Sequence, residues 1–195
     1  MVNLNGKLNK INIAVFISGR GSNLKSIIKH SLKKTSIYNV KLVLSDKRKA
    51  KGLGIAKKKD IKSYVTNFTN SRKLSNRVLI KLKKNNIKLV CLAGFMKIIP
   101  EYFIRAYDGK IINIHPSLLP KYKGLNTHKR VMLNKEKFTG CTVHYVSKQL
   151  DSGEIILQKK IIIRKDDTPK SIEKKVLKLE HKLYPISIKK VLANL

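Results

Sequence analysis

The segment Ile11-Asn-Ile-Ala-Val-Phe-Ile17, followed at once by Ser18-Gly-Arg-Gly-Ser-Asn23, decides the fold of this chain. Its first half is an almost unbroken apolar run, which is typical of a strand buried on both faces of a parallel sheet. The second half is a turn, after which Leu24, Ile27 and Ile28 recur at helical spacing. The order of strand, glycine-containing turn and helix predicts the first unit of an α/β sheet.

The same alternation continues to the end of the chain. Further strands are expected at 40–44, 61–65, 87–92, around Asn113, at 142–146 and at 155–163. Helices are expected at about 50–59, from a cap at Thr69 or Asn70 to about 84, at 100–107, at 127–133, and from Pro169 to the C-terminus. The sequence therefore predicts one α/β domain over residues 1–195, with a doubly wound, mostly parallel sheet. The alternating strand at 155–163 is expected to be an antiparallel edge near the C-terminus, and ligands are expected at the carboxyl ends of the strands.

The charge of the chain is extreme, with 44 Lys and Arg against 11 Asp and Glu and a formal net charge of +33. Such a charge is typical of nucleic-acid binders. The lysines, however, are spread over nearly every segment and do not form a stripe with interleaved aromatic residues, which make up only 6% of the chain. We therefore attribute the charge to lysines on solvent-exposed faces and to a compositional drift of the whole chain, and we expect no specific nucleic-acid partner.

Cellular location is predicted from what the sequence lacks. Cys91 and Cys141 lie in apolar runs without a CxxC spacing, as expected of buried, reduced thiols. No apolar run approaches the roughly 18–20 residues of a membrane span, so no membrane association is expected. The start, residues 1–10, is polar and basic and has no apolar core of a secretory signal. A cytoplasmic protein is the resulting expectation.

The turn between the first strand and helix is a candidate phosphate site. Gly19 and Gly21 let the backbone approach an anion, and a helix N-terminus offers free N–H groups with a partial positive charge. The pattern lacks the third glycine of a dinucleotide fingerprint and the lysine of a Walker loop. It therefore favours a mononucleotide-like phosphate, with a plain tight turn as the alternative.

Asn113 and His115 are the candidate catalytic pair. They are two residues apart on an expected strand and so project from the same face, and Pro116 and Pro120 stiffen the loop behind them. An amide beside an imidazole can stabilise charge on an oxygen and move a proton. Asp151, in a turn with Ser152 and Gly153, would raise the pKa of His115 and orient its ring. The alternatives are a structural histidine and a turn-capping aspartate.

A third candidate segment is Leu92-Ala-Gly-Phe-Met-Lys-Ile-Ile99. Gly94 at the strand end leaves room for a flat ligand. Apolar walls for that ligand would come from Phe95, Met96, Ile98 and Ile99. The alternative is ordinary core packing of these side chains.

Together the three segments resemble the phosphoribosylglycinamide formyltransferase family. The resemblance rests on the strings SGRGSNL at 18–24, AGFMKIIP at 93–100, NIHPSLLPKYKGLNTH at 113–128 and DSGEIILQ at 151–158, with a weaker match at EHKLYP, 180–185. It extends over roughly residues 11–188. It implies the formyltransferase fold and transfer of the formyl group of 10-formyltetrahydrofolate to the amino group of 5-phosphoribosylglycinamide, in purine biosynthesis. Small-molecule substrates, no metal, and a monomer or homodimer are the further expectations.

The resemblance also implies a role for individual residues. Asn113, His115 and Asp151 would be the catalytic trio. Ribonucleotide contacts would come from Gly21, Ser22 and Asn23 at the phosphate, and from Glu180. Folate contacts would come from Arg72 near the glutamate or benzoyl part, from Met96, Lys97, Ile98 and Ile99 around the pteridine, and from Asn113. Three departures from the family pattern stand out: a polar leader at 1–10, Ser152 in place of a familiar glycine, and Leu177 where a polar neighbour of the substrate is expected.

Two related enzyme families are alternatives. Methionyl-tRNA formyltransferase has a similar catalytic half but a further C-terminal RNA-binding domain, for which we expect no room after the last helix. Formyltetrahydrofolate deformylase uses water as acceptor and has an N-terminal regulatory domain, which the ten leading residues are not expected to supply. A non-catalytic nucleic-acid-binding protein is the alternative from a different class.

Overall fold

The computed structural model describes residues 9–66 and 72–195. The strands are β1 (Ile11–Ile17), β2 (Tyr38–Ser45), β3 (Lys62–Val65), β4 (Leu89–Leu92), β5 (Lys110–His115), β6 (Phe138–Tyr145) and β7 (Ile155–Ile162). The helices are α1 (Ser22–Ser31), α2 (Lys51–Lys57), α3 (Arg72–Lys84), α4 (Glu101–Ala106), α5 (Thr127–Leu133) and α6 (Pro169–Leu192). The predicted helix cap at Thr69 or Asn70 and most of the predicted leader lie outside the described residues.

The described strands form one seven-stranded sheet in the order β3-β2-β1-β4-β5-β6-β7. β1 pairs in parallel with β2 on one side and with β4 on the other, so the chain reverses its winding direction between β1 and β4. Such a switch point leaves a crevice at the carboxyl ends of the two strands. The doubly wound, mostly parallel fold predicted from the sequence is confirmed.

The C-terminal part of the sheet is antiparallel. β7 is an edge strand that pairs antiparallel with β6, as predicted, and β6 also pairs antiparallel with β5. β6 begins at Phe138, four residues before the predicted start at 142. The early part contains Gly140, a residue that weakens a strand pattern. Here glycine is required because a Cβ at this position would collide with the backbone of Lys159 on β7.

Both faces of the sheet are covered, which explains the unbroken apolar run of β1. Ile13, Val15 and Ile17 belong to a core cluster that includes residues of α1 and α6. Ala14 and Phe16 point the other way, into a cluster with residues of α3 and α4. All five side chains are fully buried. Each large apolar side chain buried in this way contributes about 1.5–3 kcal/mol to folding.

The long helix α6 begins where the sequence predicts. Thr168 caps it by accepting a hydrogen bond from the N–H of Ser171, whose hydroxyl in turn accepts from the N–H of Thr168, and Pro169 follows in the first turn. Near its other end, the Tyr184 hydroxyl donates to the carbonyl of Leu92 at 2.8 Å, at the end of β4. The helix is therefore fixed against the carboxyl edge of the sheet, where its inward side chains can reach a ligand.

The two cysteines are free and buried, as predicted. Among residues 9–66 and 72–195, no helix combines the length and the apolar character that crossing a membrane requires.

Candidate active site

A cleft of about 1110 Å³ lies at the carboxyl ends of β1, β4 and β5. Its walls include the three segments singled out from the sequence: 19–23, 92–99, and the set of Asn113, His115 and Asp151. The loop at 124–129, the segment 147–151 and one side of α6 complete the walls. The structure therefore brings together residues that are up to 161 positions apart in the sequence.

The first end of the cleft is the turn before α1. Gly21 has a φ of +76°, and a Cβ added to it would lie 2.7 Å from the Cα of Gly52. The Gly52 N–H donates to the carbonyl of Gly19 at 3.1 Å, which holds the turn against α2. Only glycine therefore fits this position. The ten-residue helix α1 begins directly after it, and the N–H groups of its first turn open onto the cleft. That arrangement suits an anionic group.

A buried hydrogen bond links this turn to α6. The Asn23 Nδ2 donates to the Glu180 Oε2 at 2.7 Å, and both side chains line the cleft. Burial raises the pKa of Glu180 to about 7, against the opposing effect of the Asn23 hydrogen bond and with a smaller contribution from the charge of Glu173. The Asn23 Oδ1 is buried and has no hydrogen-bond partner among the described residues. The turn thus presents an amide oxygen and a partly protonated carboxyl group beside the α1 N-terminus.

Sequence reasoning did not find the ion pair at the rim of this end. The Arg20 guanidinium lies 2.9 Å from the Glu173 carboxylate on α6, and both side chains are exposed. Neither residue type stands out in a chain with so many charges. The pairing depends on how α6 returns over the α1 turn.

The other end of the cleft contains the predicted catalytic trio. His115 Nδ1 lies 3.3 Å from Asp151 Oδ2, and Asn113 Nδ2 lies 3.4 Å from Asp151 Oδ1. His115 and Asp151 are buried, although both line the cleft. Asn113 and His115 share one face of β5, and the carboxylate reaches both from a separate turn. The three groups are close enough to exchange a proton and to act together on one reacting carbon.

The protonation of His115 differs from the prediction. Burial lowers the pKa of the imidazole, and this effect exceeds the raising effects of the hydrogen bond to the Tyr122 carbonyl and of the Asp151 charge. Asp151 therefore acts in the predicted direction, but the pKa of the ring as a whole lies below its ordinary value. The Nε2–Tyr122 carbonyl distance is 2.8 Å. Because a carbonyl only accepts, this contact requires a proton on Nε2.

Asp151 has a strained backbone and a stabilised charge. Its φ is +47°, which is uncommon for a non-glycine residue and turns the carboxylate into the cleft. Burial raises its pKa, but the neighbouring His144 ring, the Gly124 N–H at 2.9 Å and the His115 ring together outweigh burial, so the pKa lies below the ordinary value. The carboxylate is ionised at neutral pH and can accept a proton only transiently.

His144 is a site residue that the sequence did not reveal. It lies on β6 directly opposite Asn113, and its Nδ1 lies 2.8 Å from the carbonyl of Tyr145. That contact requires Nδ1–H, and Nε2 lies 3.2 Å from Asn113 Nδ2 and 3.6 Å from Asp151 Oδ1. The interaction fixes the Asn113 amide with its donor side toward Asp151. The available signal was its spacing of two from Thr142 on a predicted strand, but the antiparallel register was unknown.

The apolar segment divides between the core and the cleft. Phe95 and Ile99 are buried, and the ring of Phe95 packs edge-on against Phe16 with centroids 5.6 Å apart. Met96 and Ile98 are 61% and 69% exposed and line the cleft with Lys97. The core-packing alternative therefore holds for two of the four apolar side chains. The other two form an apolar wall that a ligand can cover.

Arg72 is not among the residues that line the cleft. It is exposed at the first position of α3, and its guanidinium lies 5.8 Å from the ring centroid of Tyr102. Its predicted contact with the folate stays a prediction.

Comparisons with known proteins agree with this geometry. The formyl transferase family matches residues 11–188. The chain is 37% identical over 193 residues to the trifunctional purine biosynthetic protein adenosine-3 of Gallus gallus, a match that covers 96% of this chain and 19% of that protein. It thus spans about a fifth of the length of such multifunctional relatives.

Shorter relatives match over most of their length. The phosphoribosylglycinamide formyltransferase of Haemophilus influenzae is 39% identical over 180 residues, which are 91% of this chain and 85% of that protein. The crystal structure of phosphoribosylglycinamide formyltransferase from Anaplasma phagocytophilum superposes with a TM-score of 0.87 at 39% identity, covering 92% of this chain and 85% of that chain. The resemblance predicted from the motifs is confirmed: the chain belongs to the formyl transferase family, among the phosphoribosylglycinamide formyltransferases.

Proposed function

We propose that this protein transfers the formyl group of 10-formyltetrahydrofolate to the amino group of 5-phosphoribosylglycinamide, a step of purine biosynthesis. The observation that carries the proposal is the convergence of Asn113, His115 and Asp151 between an anion-binding turn and an apolar wall. An amine acceptor whose phosphate binds at the turn and a flat formyl donor that binds at the apolar wall would meet at these three side chains. The substrates are small molecules. The buried free thiols are compatible with the reducing cytoplasm.

The phosphate of the ribonucleotide would bind at Gly21, Ser22 and Asn23. The α1 N-terminus supplies N–H donors and a favourable dipole for a dianion. Glu180, 2.7 Å from the Asn23 amide, would meet the hydroxyl groups of the ribose. Leu177 lines the same wall, so this chain offers apolar contact at a point where a polar one was expected.

The folate would occupy the other side of the cleft. Met96 and Ile98 present apolar surface there, while the backbone of 96–99 offers hydrogen-bonding groups to the pteridine ring. The Met96 N–H is already bound to the Ser18 hydroxyl at 2.8 Å, which ties this segment to the end of β1. Gly94, with a φ of +69° and no atom within 4 Å of a built Cβ, leaves open space for a flat ring. Lys97, which lines the same wall, would contact the pteridine part of the folate.

The residue chemistry then follows from the geometry. The neutral amine attacks the formyl carbon, and negative charge develops on the formyl oxygen. Asn113 Nδ2 can exchange its long 3.4 Å contact with Asp151 for a hydrogen bond to that oxygen. His115 Nδ1, unprotonated in the neutral ring, can take up the proton that the attacking nitrogen loses, and the resulting imidazolium beside Asp151 stabilises the same charge.

A proton must finally move from the attacking nitrogen to N10 of the departing tetrahydrofolate. The Asp151 carboxylate is ionised and lies 3.3 Å from His115 Nδ1, so it can stabilise the imidazolium and help to pass its proton on to N10, directly or through a water. No covalent bond to the protein is needed, because the cleft holds both reactants and alignment supplies much of the rate.

The test is an acceptor assay with the purified chain and 10-formyltetrahydrofolate. We expect folate turnover only when 5-phosphoribosylglycinamide is added. Turnover with formyl-acceptor tRNA instead, or folate hydrolysis without an acceptor, would contradict the proposal and support one of the two related activities. Absence of turnover in all three reactions would also contradict it.

A further inference from the structure

The short segment 121–124 touches both titratable groups of the catalytic trio. The carbonyl of Tyr122 accepts a hydrogen bond from His115 Nε2 at 2.8 Å. Two residues later, the N–H of Gly124 donates to Asp151 Oδ2 at 2.9 Å. Because Asp151 Oδ2 also faces His115 Nδ1, one piece of backbone controls the orientation of the imidazole and of the carboxylate next to it.

The backbone of Tyr122 is in an unfavourable conformation. Its φ is +58°, in the left-handed region that bulky residues rarely occupy. In a relaxed conformation the peptide would rotate, and its carbonyl would point away from His115. The surrounding structure must therefore hold this residue in place.

The tyrosine side chain provides that hold. Its hydroxyl donates to Glu136 Oε1 at 2.8 Å and accepts from Asn134 Nδ2 at 3.0 Å. The guanidinium of Arg130 lies 5.4 Å from the centroid of the ring, within the range of a cation–π contact. Arg130 also donates to the carbonyl of Lys123 at 2.6 Å, so it holds the backbone directly after Tyr122. None of these side chains is among the residues that line the cleft.

We propose that Tyr122 is a positioning residue for His115, and that its anchored phenol fixes the carbonyl that selects the tautomer of the imidazole. With Nε2–H bound to this carbonyl, the lone pair of the neutral ring is on Nδ1. The Asp151 carboxylate, 3.3 Å from Nδ1, favours a proton there, so the Tyr122 carbonyl is the group that keeps the proton of the neutral ring on Nε2. In the other tautomer, Nδ1 would already carry a proton and could not take one up. The kinetic part of this inference rests on the proposed function, whereas the tautomer itself can be measured without turnover.

The charged groups around His115 set the direction of the expected pH effect. The Asp151 carboxylate favours the imidazolium, while the His144 ring and the Arg130 guanidinium disfavour it. The hydrogen bond to the Tyr122 carbonyl also favours it. Loosening this bond removes a raising influence, so the pKa of His115 falls and the acid limb of the kcat profile moves to lower pH.

The first variant is Tyr122→Phe, which removes the hydroxyl contacts and keeps the ring. We expect kcat to fall about tenfold, the scale of a small misplacement of a reacting group, with KM values within about twofold of wild type. Nitrogen NMR of the histidine-labelled protein, assigned with His115→Ala, should show a pure Nε2–H tautomer in wild type and a mixture in the variant. Both measurements use the whole chain.

Glu136 supplies the matched controls. Glu136→Gln keeps an acceptor for the phenol and should leave kcat and the tautomer close to wild type, whereas Glu136→Ala should reproduce Tyr122→Phe. Lys121→Met removes only the 2.8 Å ion pair with Glu136 and should have no effect on either reading. A wild-type tautomer and a wild-type acid limb in both Tyr122→Phe and Glu136→Ala would overturn the inference. An inactive wild-type protein would refute the proposed function instead, and the NMR comparison would still decide this one.

Discussion

The two ends of the cleft are built in different ways. At the anion-binding end, the groups that open onto the cleft come mainly from five consecutive residues, 19–23, where β1 leads into α1. At the catalytic end they come from β5, from β6 and from the turn at Asp151, and the Asn113–Asp151 contact joins residues 38 apart. A site made from a continuous segment depends on local backbone geometry. A site made from separate segments depends on strand register and on each loop that closes it.

This difference predicts different responses to substitution. Changes at the anion-binding end should weaken substrate binding and leave the chemical step intact, because no reacting atom lies there. Changes at the catalytic end should slow the chemical step and leave binding nearly unchanged.

Replacing His115 should have the largest effect. His115→Ala removes the group that takes up the proton, and we expect kcat to fall by about 10²–10⁴-fold in the steady-state formyl transfer assay. His30→Ala is the matched control, since that histidine bonds the Ser26 carbonyl within α1 and does not line the cleft. Turnover within tenfold of wild type would remove His115 from the mechanism.

Asn113→Ala tests the second donor. Loss of an amide that stabilises a developing oxyanion costs about 10²–10³-fold in kcat. We expect this loss with little change in the KM of the ribonucleotide. The variant also frees His144 Nε2, so circular dichroism and a melting curve should accompany the kinetics. A rise in KM without a fall in kcat would mean that Asn113 serves binding alone.

A substitution of Glu180 tests whether the anion-binding end depends only on its continuous segment or also on α6. Its folded pKa of about 7 lies above the ordinary value of 4.5, so between these values the folded state binds more protons than the unfolded state. Its contribution to stability is therefore full below pH 4.5 and is lost as pH rises through 7, by about 3 kcal/mol in total.

Glu180→Gln should remove this pH dependence. Urea unfolding of both proteins from pH 5 to 8 gives the comparison, and the wild-type protein should lose stability relative to the variant as pH rises. The lowered pKa values of His115, His128 and His181 act in the opposite sense in both proteins and largely cancel. A pH-independent difference between the two proteins would contradict the raised pKa.

Gly21→Ala should have the smallest effect among the site variants. The added Cβ would lie 2.7 Å from the Gly52 backbone in a left-handed conformation, so the turn must shift. We expect the KM of the ribonucleotide to rise about tenfold at nearly constant kcat, since one good charge-assisted hydrogen bond is worth about 1.5 kcal/mol or more. Gly54→Ala, where the structure has no atom within 4 Å of the Cβ, is the control and should raise stability slightly.

The same difference between the ends explains what the sequence could reveal. β1, its turn and α1 follow from an apolar run, two glycines and helical spacing, and all lie within the range of local patterns. His144 was missed because its position opposite Asn113 depends on the antiparallel pairing of β5 with β6. The lowered pKa of His115 could not be predicted because the degree of burial is a property of the assembled cleft. The polar contacts of the Tyr122 side chain could not be predicted for the same reason.

The most direct test of the account is a single-turnover experiment with Asp151→Asn at saturating concentrations of both substrates. The rate of formylated product should fall by at least about 10²-fold relative to wild type, while the dissociation constant of the ribonucleotide, measured by calorimetry, should stay within about twofold. That result would place the chemical step at the catalytic end and binding at the other end. A wild-type single-turnover rate, or a loss of ribonucleotide binding that accounts for the whole defect, would contradict the account.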